Sequence, residues 1–249
     1  MAKFKPYLLI FLNLFSIEMF AQNSPAIISD SDGFTYVRSG PGIDFDILDT
    51  IFNKEFFYFK PDRNSNWVEV TAWKGKQIEG FINKSKIQEV KNLDNDTLKE
   101  IVFQVLDKQR TLADNFTDAW KAKDSIAYRR TRRELEYYSE TKYDPILHVI
   151  PDFFCSTKDI IIIDRLFETM WADKGSANEM PSFSIGECFN CNPDLVIERI
   201  NKITDEEQKK LVVGHIVWGL MNQFDVNKEG ESEDNKYHEL MEKLENANF

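Results

Sequence analysis

The sequence contains few residues of the kinds that build metal and redox centres. Among its 249 residues are three cysteines and three histidines. His148, His215 and His238 lie far apart, without a paired-histidine motif, and the close pair Cys188 and Cys191 has no second pair to complete a zinc site. We therefore expect no metal and no cofactor.

The third cysteine, Cys155, makes the number odd. In an oxidising compartment Cys188 and Cys191 can close a small disulfide, and one thiol stays unpaired whichever pair forms. Two core thiols are the alternative. His215 follows Val213 and Gly214 on an apolar stretch, which favours a hydrogen-bonded core histidine.

Basic residues are also scarce relative to acidic ones. The chain has 31 Lys and Arg against 42 Asp and Glu, a formal net charge of −11, and nearly all of the acidic excess lies in residues 92–249. Binding to nucleic acid or to an anionic membrane depends on an excess of Lys and Arg. This composition argues against both partner classes.

Long hydrophobic runs are missing except at the N-terminus. There Lys3 and Lys5 precede the mostly apolar stretch Tyr7 to Phe20, which leads into Ala21. The stretch is shorter than the roughly 20 residues that span a bilayer, and the pattern is typical of a secretory signal peptide cut before Gln22. We expect residues 1–21 to be removed. The mature protein is then periplasmic or extracellular, of Gram-negative type, with no stable membrane insertion.

The first third of the mature chain alternates between apolar and polar residues and predicts a small all-β unit. Its turn at Gly40-Pro41-Gly42 reverses the chain, and in the preceding strand Val37 faces the core while Phe34 and Tyr36 share the other face. The predicted strands are Ala26 to Ile28, Phe34 to Arg38, Ile47 to Phe52, Glu55 to Lys60, Trp67 to Trp73 and Ile78 to Ile82.

Three motifs in this region, in this order, resemble the bacterial SH3-like family. They are Tyr36-Val37-Arg38-Ser39-Gly40-Pro41-Gly42, Asn66-Trp67-Val68-Glu69-Val70 and Gly80-Phe81-Ile82. The resemblance covers residues 26–90 and implies a small β-barrel that recognises cell-wall material or a protein partner. Two positions differ from the family pattern: Tyr36 stands where asparagine is frequent, and Phe81 where tryptophan is frequent.

From about residue 94 the apolar spacing becomes helical, and the fold class predicted is multidomain β + α: an SH3-like β-barrel followed by an all-α helical-hairpin domain over residues 94–249. The stretch from Asn192 to Gln208 weakly resembles HEAT-type helical repeats. A compact irregular bundle is the alternative. Helices are predicted from Leu98 to Lys123, Ser125 to Lys142, Ile146 to Phe154, Asp159 to Trp171, Leu195 to Ile203 and Leu211 to Phe224, with others before Asn190 and after Asn235.

Two groups of residues are candidate binding sites. In the barrel, Tyr36, Tyr58 and Trp73 could line an aromatic groove for a peptide or glycan, whereas Trp67 begins a central strand and is expected to be structural. In the second domain, Arg129, Arg132 and Arg133 fall near one helix face and could grip a carboxylate or phosphate. The alternative for these arginines is pairing along the same helix with Glu134, Glu136 and Glu140.

The sequence contains no recognisable catalytic centre. Exported proteins with SH3-like modules often carry cell-wall hydrolases, and Cys155 has His148 seven residues before it, but its context lacks a nucleophile motif and favours a small core residue. The many carboxylates give no reason to choose an acid/base pair. We expect an exported, non-enzymatic binding protein; the alternatives are an envelope hydrolase with an unrecognised site in residues 94–249, or an acidic immunity-type inhibitor.

Overall fold

A computed structural model describes residues 24–53, 55–173, 177–227 and 232–247. The expected signal peptide lies outside them. The chain divides after Asn92 into two compact units. We call them the β unit and the helical unit, and each is described on its own. The arrangement of strands followed by helices is the one predicted.

Seven strands of the β unit form one antiparallel sheet with the order β3-β2-β6-β5-β4-β1-β7. Strands β3 and β7 lie at its two edges and are not paired with each other, so the sheet is not a closed barrel. The strands are β1 Ser24–Ile28, β2 Phe34–Arg38, β3 Ile47–Phe52, β4 Phe56–Phe59, β5 Trp67–Trp73, β6 Gln77–Asn83 and β7 Ile87–Glu89.

One face of this sheet forms the core of the β unit. Its buried side chains come from β1 to β6, and Ile87 of β7 packs against them. In the described part of the unit the other regular elements are two three-residue turns of 3-10 helix. In its described residues the unit has no long helix of its own to cover this face. The prediction that Val37 belongs to the core is confirmed, since its side chain is fully buried.

The residues of the first motif build the turn between β2 and β3. The Arg38 guanidinium donates hydrogen bonds to the carbonyl oxygens of Ile43 and Phe45, both at 2.8 Å. The Phe45 ring covers Gly40 so closely that a Cβ there would overlap it. On the neighbouring strand a Cβ at Gly80 would lie 2.5 Å from the Arg38 carbonyl oxygen. Arg38 therefore holds the turn through hydrogen bonds, Gly40 gives room for the Phe45 ring, and the backbone of β2 leaves no space for a side chain at Gly80.

The helical unit contains nine α-helices in its described residues, and most begin at a signal visible in the sequence. The side chains of Asp94, Asp124, Asp159, Asp205 and Asp234 accept backbone N–H hydrogen bonds at helix starts, which stabilises the exposed first turn. The helices are α1 Asn95–Lys121, α2 Ser125–Tyr138, α3 Asp144–Leu147, α4 Ile150–Thr157, α5 Ile160–Ala172, α6 Met180–Cys191, α7 Pro193–Asn201, α8 Glu206–Gln223 and α9 Asn235–Asn246.

Between α2 and α3 the chain forms a π-helical turn, Ser139–Tyr143. The predicted second helix, Ser125 to Lys142, is helical over this range, but its last turn, from Ser139, is of the wider π type. Pro145 lies in the first turn of α3, where a missing N–H costs nothing. Inserted π-helical turns are frequent at functional sites.

Helices α6 and α8 pack against each other more extensively than any other pair of described elements. Two glycines make this approach possible: a Cβ on Gly186 would lie 2.8 Å from the Gly219 carbonyl carbon, and a Cβ on Gly219 would overlap the Ser182 carbonyl oxygen. In the described part of the chain, no helix combines the length and the apolar character needed to cross a membrane.

Candidate functional site

A row of aromatic side chains lies on the outer face of β2 and β3. Phe34 and Phe52 are cross-strand partners, with ring centroids 6.5 Å apart, and the Tyr36 ring meets Phe34 edge-on at 5.4 Å. Tyr36 is 38% exposed and Phe52 is 52% exposed. We call Phe34, Tyr36 and Phe52 the aromatic row.

Cations lie over both ends of the aromatic row. The Arg38 guanidinium is 5.8 Å from the Tyr36 ring centroid, and the Lys74 ammonium is 5.0 Å from that of Phe52. Lys74 also donates to the Thr50 carbonyl oxygen and pairs with Glu55. Because both cations are also bonded to other groups of the β unit, they help to hold the Tyr36 and Phe52 rings in place, and each covers part of one ring face.

The three aromatic residues that were predicted to contact a ligand differ in their exposure. Tyr36 belongs to the row and Trp73 is also exposed, at 39%. Tyr58 is buried, at 8%, which corrects the expectation that it lines a groove. The reason is that all four residues of β4 are buried, so alternation along that strand does not produce an exposed face. Trp67 is half-buried.

The ligand contacts that were predicted from the sequence did not include Phe34 and Phe52. The signal was present, because the parity that sends Val37 to the core sends Phe34 and Tyr36 to the other face. Likewise Ile51 is buried and the adjacent Phe52 is exposed. The aromatic row follows from applying the two-residue period to both strands.

The three arginines of α2 that were predicted to bind an anion lie in different surroundings. Arg132 pairs with Glu136 at 2.7 Å, one of the pairings proposed as the alternative for this cluster. The Arg129 side chain donates to the Ser125 carbonyl oxygen, and Arg133 is exposed. Of the three, Arg132 alone is among the described residues that line a cleft.

This cleft, of about 550 Å³, lies between α1, α2, the π-helical turn and the C-terminal end of α5. We call it the α1–α2 cleft. Phe116 and Tyr128 form an aromatic wall, with ring centroids 5.1 Å apart. The charged groups that line the cleft are Arg132, Glu136, Glu140, Asp144 and Asp173.

The carboxyls of Asp144 and Asp173 are unusual in their ionisation. Burial raises the pKa of Asp144 to about 6, opposed by the hydrogen bond that Asn178 donates to it at 2.7 Å, and the charge of Glu140 adds to the rise. Burial also raises the pKa of Asp173 to about 6, opposed by a hydrogen bond from Gln109, and the charge of Asp144 adds to it. The two carboxyls are thus electrostatically coupled.

Behind this pair lie two fully buried polar side chains. Gln109 donates to the Ser139 hydroxyl at 2.9 Å and so fixes the π-helical turn against α1. The Tyr143 hydroxyl has no hydrogen-bond partner. Burial raises the pKa of Tyr143 well above the usual range, and the charges of Asp173 and Asp144 raise it further.

We expect Asp144→Asn to make stability less dependent on pH. A carboxyl whose pKa rises on folding favours the protonated state, so native stability falls as pH increases from about 4 to about 7. A rise of the pKa from 3.8 in the unfolded chain to about 6 in the folded protein corresponds to a loss of about 3 kcal/mol in the free energy of unfolding at high pH. Because Asp144 is partly exposed, we expect the variant to be about 1–2 kcal/mol more stable than wild type at pH 7.5.

Urea unfolding followed by circular dichroism at pH 4 and pH 7.5 measures this difference. At pH 4 the two proteins should unfold at the same urea concentration. Asp118→Asn, at an exposed position of α1, is the matched control and should follow wild type at both pH values. Equal pH dependence in all three proteins would contradict the assignment.

The expected roles of the cysteines are corrected. Cys155 and Cys191 form a disulfide, with their Cα atoms 5.9 Å apart, within the range that the bond requires. Cys188 is free and fully buried, and burial raises the pKa of its thiol. Cys188 faces the core, whereas Cys191 at the end of α6 reaches α4, so neighbours in sequence are not partners. A bonded Cys155 is neither a core thiol nor a thiolate nucleophile for His148.

Another nucleophile–base geometry occurs where α6 meets α8. The Ser182 hydroxyl and His215 Nδ1 are 2.7 Å apart, and burial lowers the pKa of His215. The backbone N–H groups of Ser182 and Phe183 already donate to the Glu179 carbonyl oxygen, so they are not available to stabilise an oxyanion. The hydrogen bond connects α6 with α8, and His215 is hydrogen-bonded as expected.

In the part of the chain that the structure describes, no group of three or more His, Cys, Asp or Glu side chains is placed to hold a metal ion. Comparison with models of known protein families, with curated proteins and with solved structures found no match to this chain.

Proposed function

We propose that the protein is an exported, non-enzymatic binding protein whose β unit recognises cell-wall material or a protein partner. The observation that carries this proposal is the aromatic row, in which Tyr36 and Phe52 are exposed and Phe34 is half-buried. Exposed aromatic faces held in fixed positions supply contact area at low entropic cost. Export rests on the signal-like residues 1–21.

The position of the row favours an extended ligand. It lies beside β3, which is paired on one side only, and an edge strand can accept a further strand from a partner. Ile47 and Leu48 of the same strand are 51% and 48% exposed. A peptide laid along β3 would gain backbone hydrogen bonds and apolar contacts together.

We further propose that the β unit is an SH3-like domain and that the helical unit is built of helical hairpins, in part HEAT-like. The structural roles of Arg38, Gly40 and Gly80 support the first assignment, because residues that carry the resemblance hold the turn after β2 and allow β2 and β6 to approach closely.

A pull-down of residues 22–249 with purified peptidoglycan sacculi and with envelope extract tests the function. Wild type should be retained by one of the two materials, and Tyr36→Ala combined with Phe52→Ala should reduce retention by about tenfold or more, the usual effect of removing central aromatic contacts. Trp73→Ala shows whether the surface extends beyond the row.

Ile126→Ala is the matched control, because Ile126 is a large apolar residue of the helical unit and is 75% exposed. It should bind like wild type. No retention by either material, or retention that is indifferent to the double substitution, would overturn the proposed surface. Turnover of peptidoglycan by the purified protein would favour a hydrolase, and capture of a basic toxin through the helical unit would favour an immunity-type inhibitor.

A further inference from the structure

We propose that the disulfide between Cys155 and Cys191 is a site of thiol–disulfide exchange, at which a small uncharged or cationic thiol bonds to Cys155 and Cys191 leaves as a thiolate. The site belongs to the helical unit and shares no residue with the aromatic row. It therefore adds a chemical modification to the proposed function and does not depend on it.

Both bonded cysteines are partly accessible to solvent. Cys155 and Cys191 are half-buried, whereas the free Cys188 is fully buried. Exchange begins when a thiolate attacks one sulfur of a disulfide, so its rate depends on access to that sulfur. A small thiol can therefore approach the bond between α4 and α6 and cannot approach Cys188.

A positive charge lies beside one of the two bonded sulfurs. The Lys158 ammonium donates to the Cys191 sulfur at 3.3 Å. The Lys158 backbone N–H donates to the Phe154 carbonyl oxygen at 2.7 Å, and the ammonium lies 5.9 Å from the Phe154 ring centroid, so both ends of the lysine are held at the end of α4. Among the described residues no carboxylate forms a salt bridge with Lys158, which leaves the sulfur as its polar partner.

This lysine makes the two sulfurs chemically different. A disulfide sulfur is only a weak acceptor, whereas a thiolate carries a full charge that a neighbouring cation stabilises. The sulfur whose thiolate is better stabilised leaves faster, which assigns that role to Cys191. An incoming thiolate then forms a bond with Cys155 Sγ, the bond between Cys155 and Cys191 breaks, and its electron pair remains on Cys191 Sγ beside the ammonium.

The helix dipoles favour the same direction of exchange. Cys155 lies in the last turn of α4, where the dipole disfavours a negative charge. At Cys191 the end of α6 and the start of α7 meet, so the two dipoles oppose each other. Cys155 is therefore the poorer leaving group.

Two carboxylates define the kind of thiol that reacts. Asp152 precedes Cys155 by three residues on α4, and Glu187 precedes Cys191 by four residues on α6. Residues at these spacings lie on the same face of a helix, so each carboxylate is about one turn from a bonded cysteine. Their two negative charges outnumber the single ammonium and repel an anionic thiol.

Brief treatment of folded residues 22–249 with 2-mercaptoethanol at pH 7.5, followed by acid quenching, alkylation with N-ethylmaleimide and mass spectrometry of the peptides, tests the site. The expected early product carries mercaptoethanol on Cys155 and N-ethylmaleimide on Cys191. Lys158→Met should slow the opening by about threefold to tenfold, because it removes the charge that stabilises the leaving thiolate. Lys158→Arg should keep most of the wild-type rate.

Lys123→Met is the matched control, because Lys123 is also exposed and also has a φ of 57° just after a helix. It should open like wild type. A variant that merely loosened the helical unit would open faster, so slower opening of Lys158→Met distinguishes stabilisation of the leaving thiolate from a structural role. At equal thiolate concentration, 2-mercaptoethanol and cysteamine should react faster than 3-mercaptopropionate. Absence of opening in the folded protein, mercaptoethanol on Cys191, an unchanged rate in Lys158→Met, or fastest reaction with the anionic thiol would overturn the site.

Discussion

Replacing Gly219 by alanine is expected to destabilise the helical unit by about 3 kcal/mol or more, because the new Cβ would overlap the Ser182 carbonyl oxygen. The obstacle is backbone of the facing helix, which cannot move aside as a flexible side chain does. α6 and α8 would have to separate, and the Ser182–His215 hydrogen bond of 2.7 Å would lengthen or break. Loss of both packing and a buried hydrogen bond explains the size of the effect.

Gly214 supplies the matched control, because it lies on the same helix with no atom within 4 Å of its potential Cβ. Gly214→Ala should stabilise the protein by about 0.5–1 kcal/mol through the better helix propensity of alanine. Thermal unfolding followed at 222 nm, a signal dominated by the helices, compares the two variants. Equal midpoints for Gly219→Ala and wild type would show that α6 and α8 do not cross as closely as described.

The two glycines illustrate what sequence could not reveal. Gly214 and Gly219 are five residues apart on one helix, and no local pattern distinguishes the exposed one from the one at the crossing. The difference depends on which residues of α6 lie opposite. Packing between elements far apart in sequence is set by the whole unit and not by the spacing of residues along one helix.

The β unit was more predictable, because its strands have one buried and one exposed face. Alternation predicted β2, β3 and β5 with their observed boundaries and assigned Val37 to the core. It failed in β4, which is buried on both faces, and therefore misplaced Tyr58. It also missed β7, whose three residues are too few to establish a period.

The α1–α2 cleft could not be predicted from the sequence. Asp144 and Asp173 are 2 of 42 acidic residues, and no local pattern marks them as a pair: Asp144 lies in the first turn of α3, where carboxylates are frequent, and Asp173 follows the end of α5. What distinguishes them is burial against α1 and the hydrogen bonds from Asn178 and Gln109. The π-helical turn that brings Asp144 to the cleft resembled a continuous α-helix in the sequence.

Removing the disulfide with Cys155→Ser and Cys191→Ser together should lower the free energy of unfolding by about 4 kcal/mol. The bond closes a loop between residues separated by 36 positions, and the entropy that such a loop removes from the unfolded chain corresponds to this value. Dithiothreitol should lower the midpoint of wild type to that of the double variant and leave the double variant unchanged. Urea unfolding with and without the reductant measures both effects.

The competing pairing, Cys188 with Cys191, makes opposite predictions for single variants. If Cys155 is bonded to Cys191, Cys188→Ala keeps the sensitivity to dithiothreitol and Cys155→Ala abolishes it, whereas a bond between Cys188 and Cys191 reverses both results. The native protein should then contain one thiol that reacts with Ellman's reagent after denaturation and not before, because Cys188 is fully buried and its raised pKa suppresses the thiolate. A bond within α6 would instead close a loop of only a few residues, which constrains the unfolded chain far less. Loss of sensitivity to dithiothreitol in Cys188→Ala would therefore show that Cys191 is bonded to Cys188 and not to Cys155. The covalent connection between α4 and α6 would then not exist.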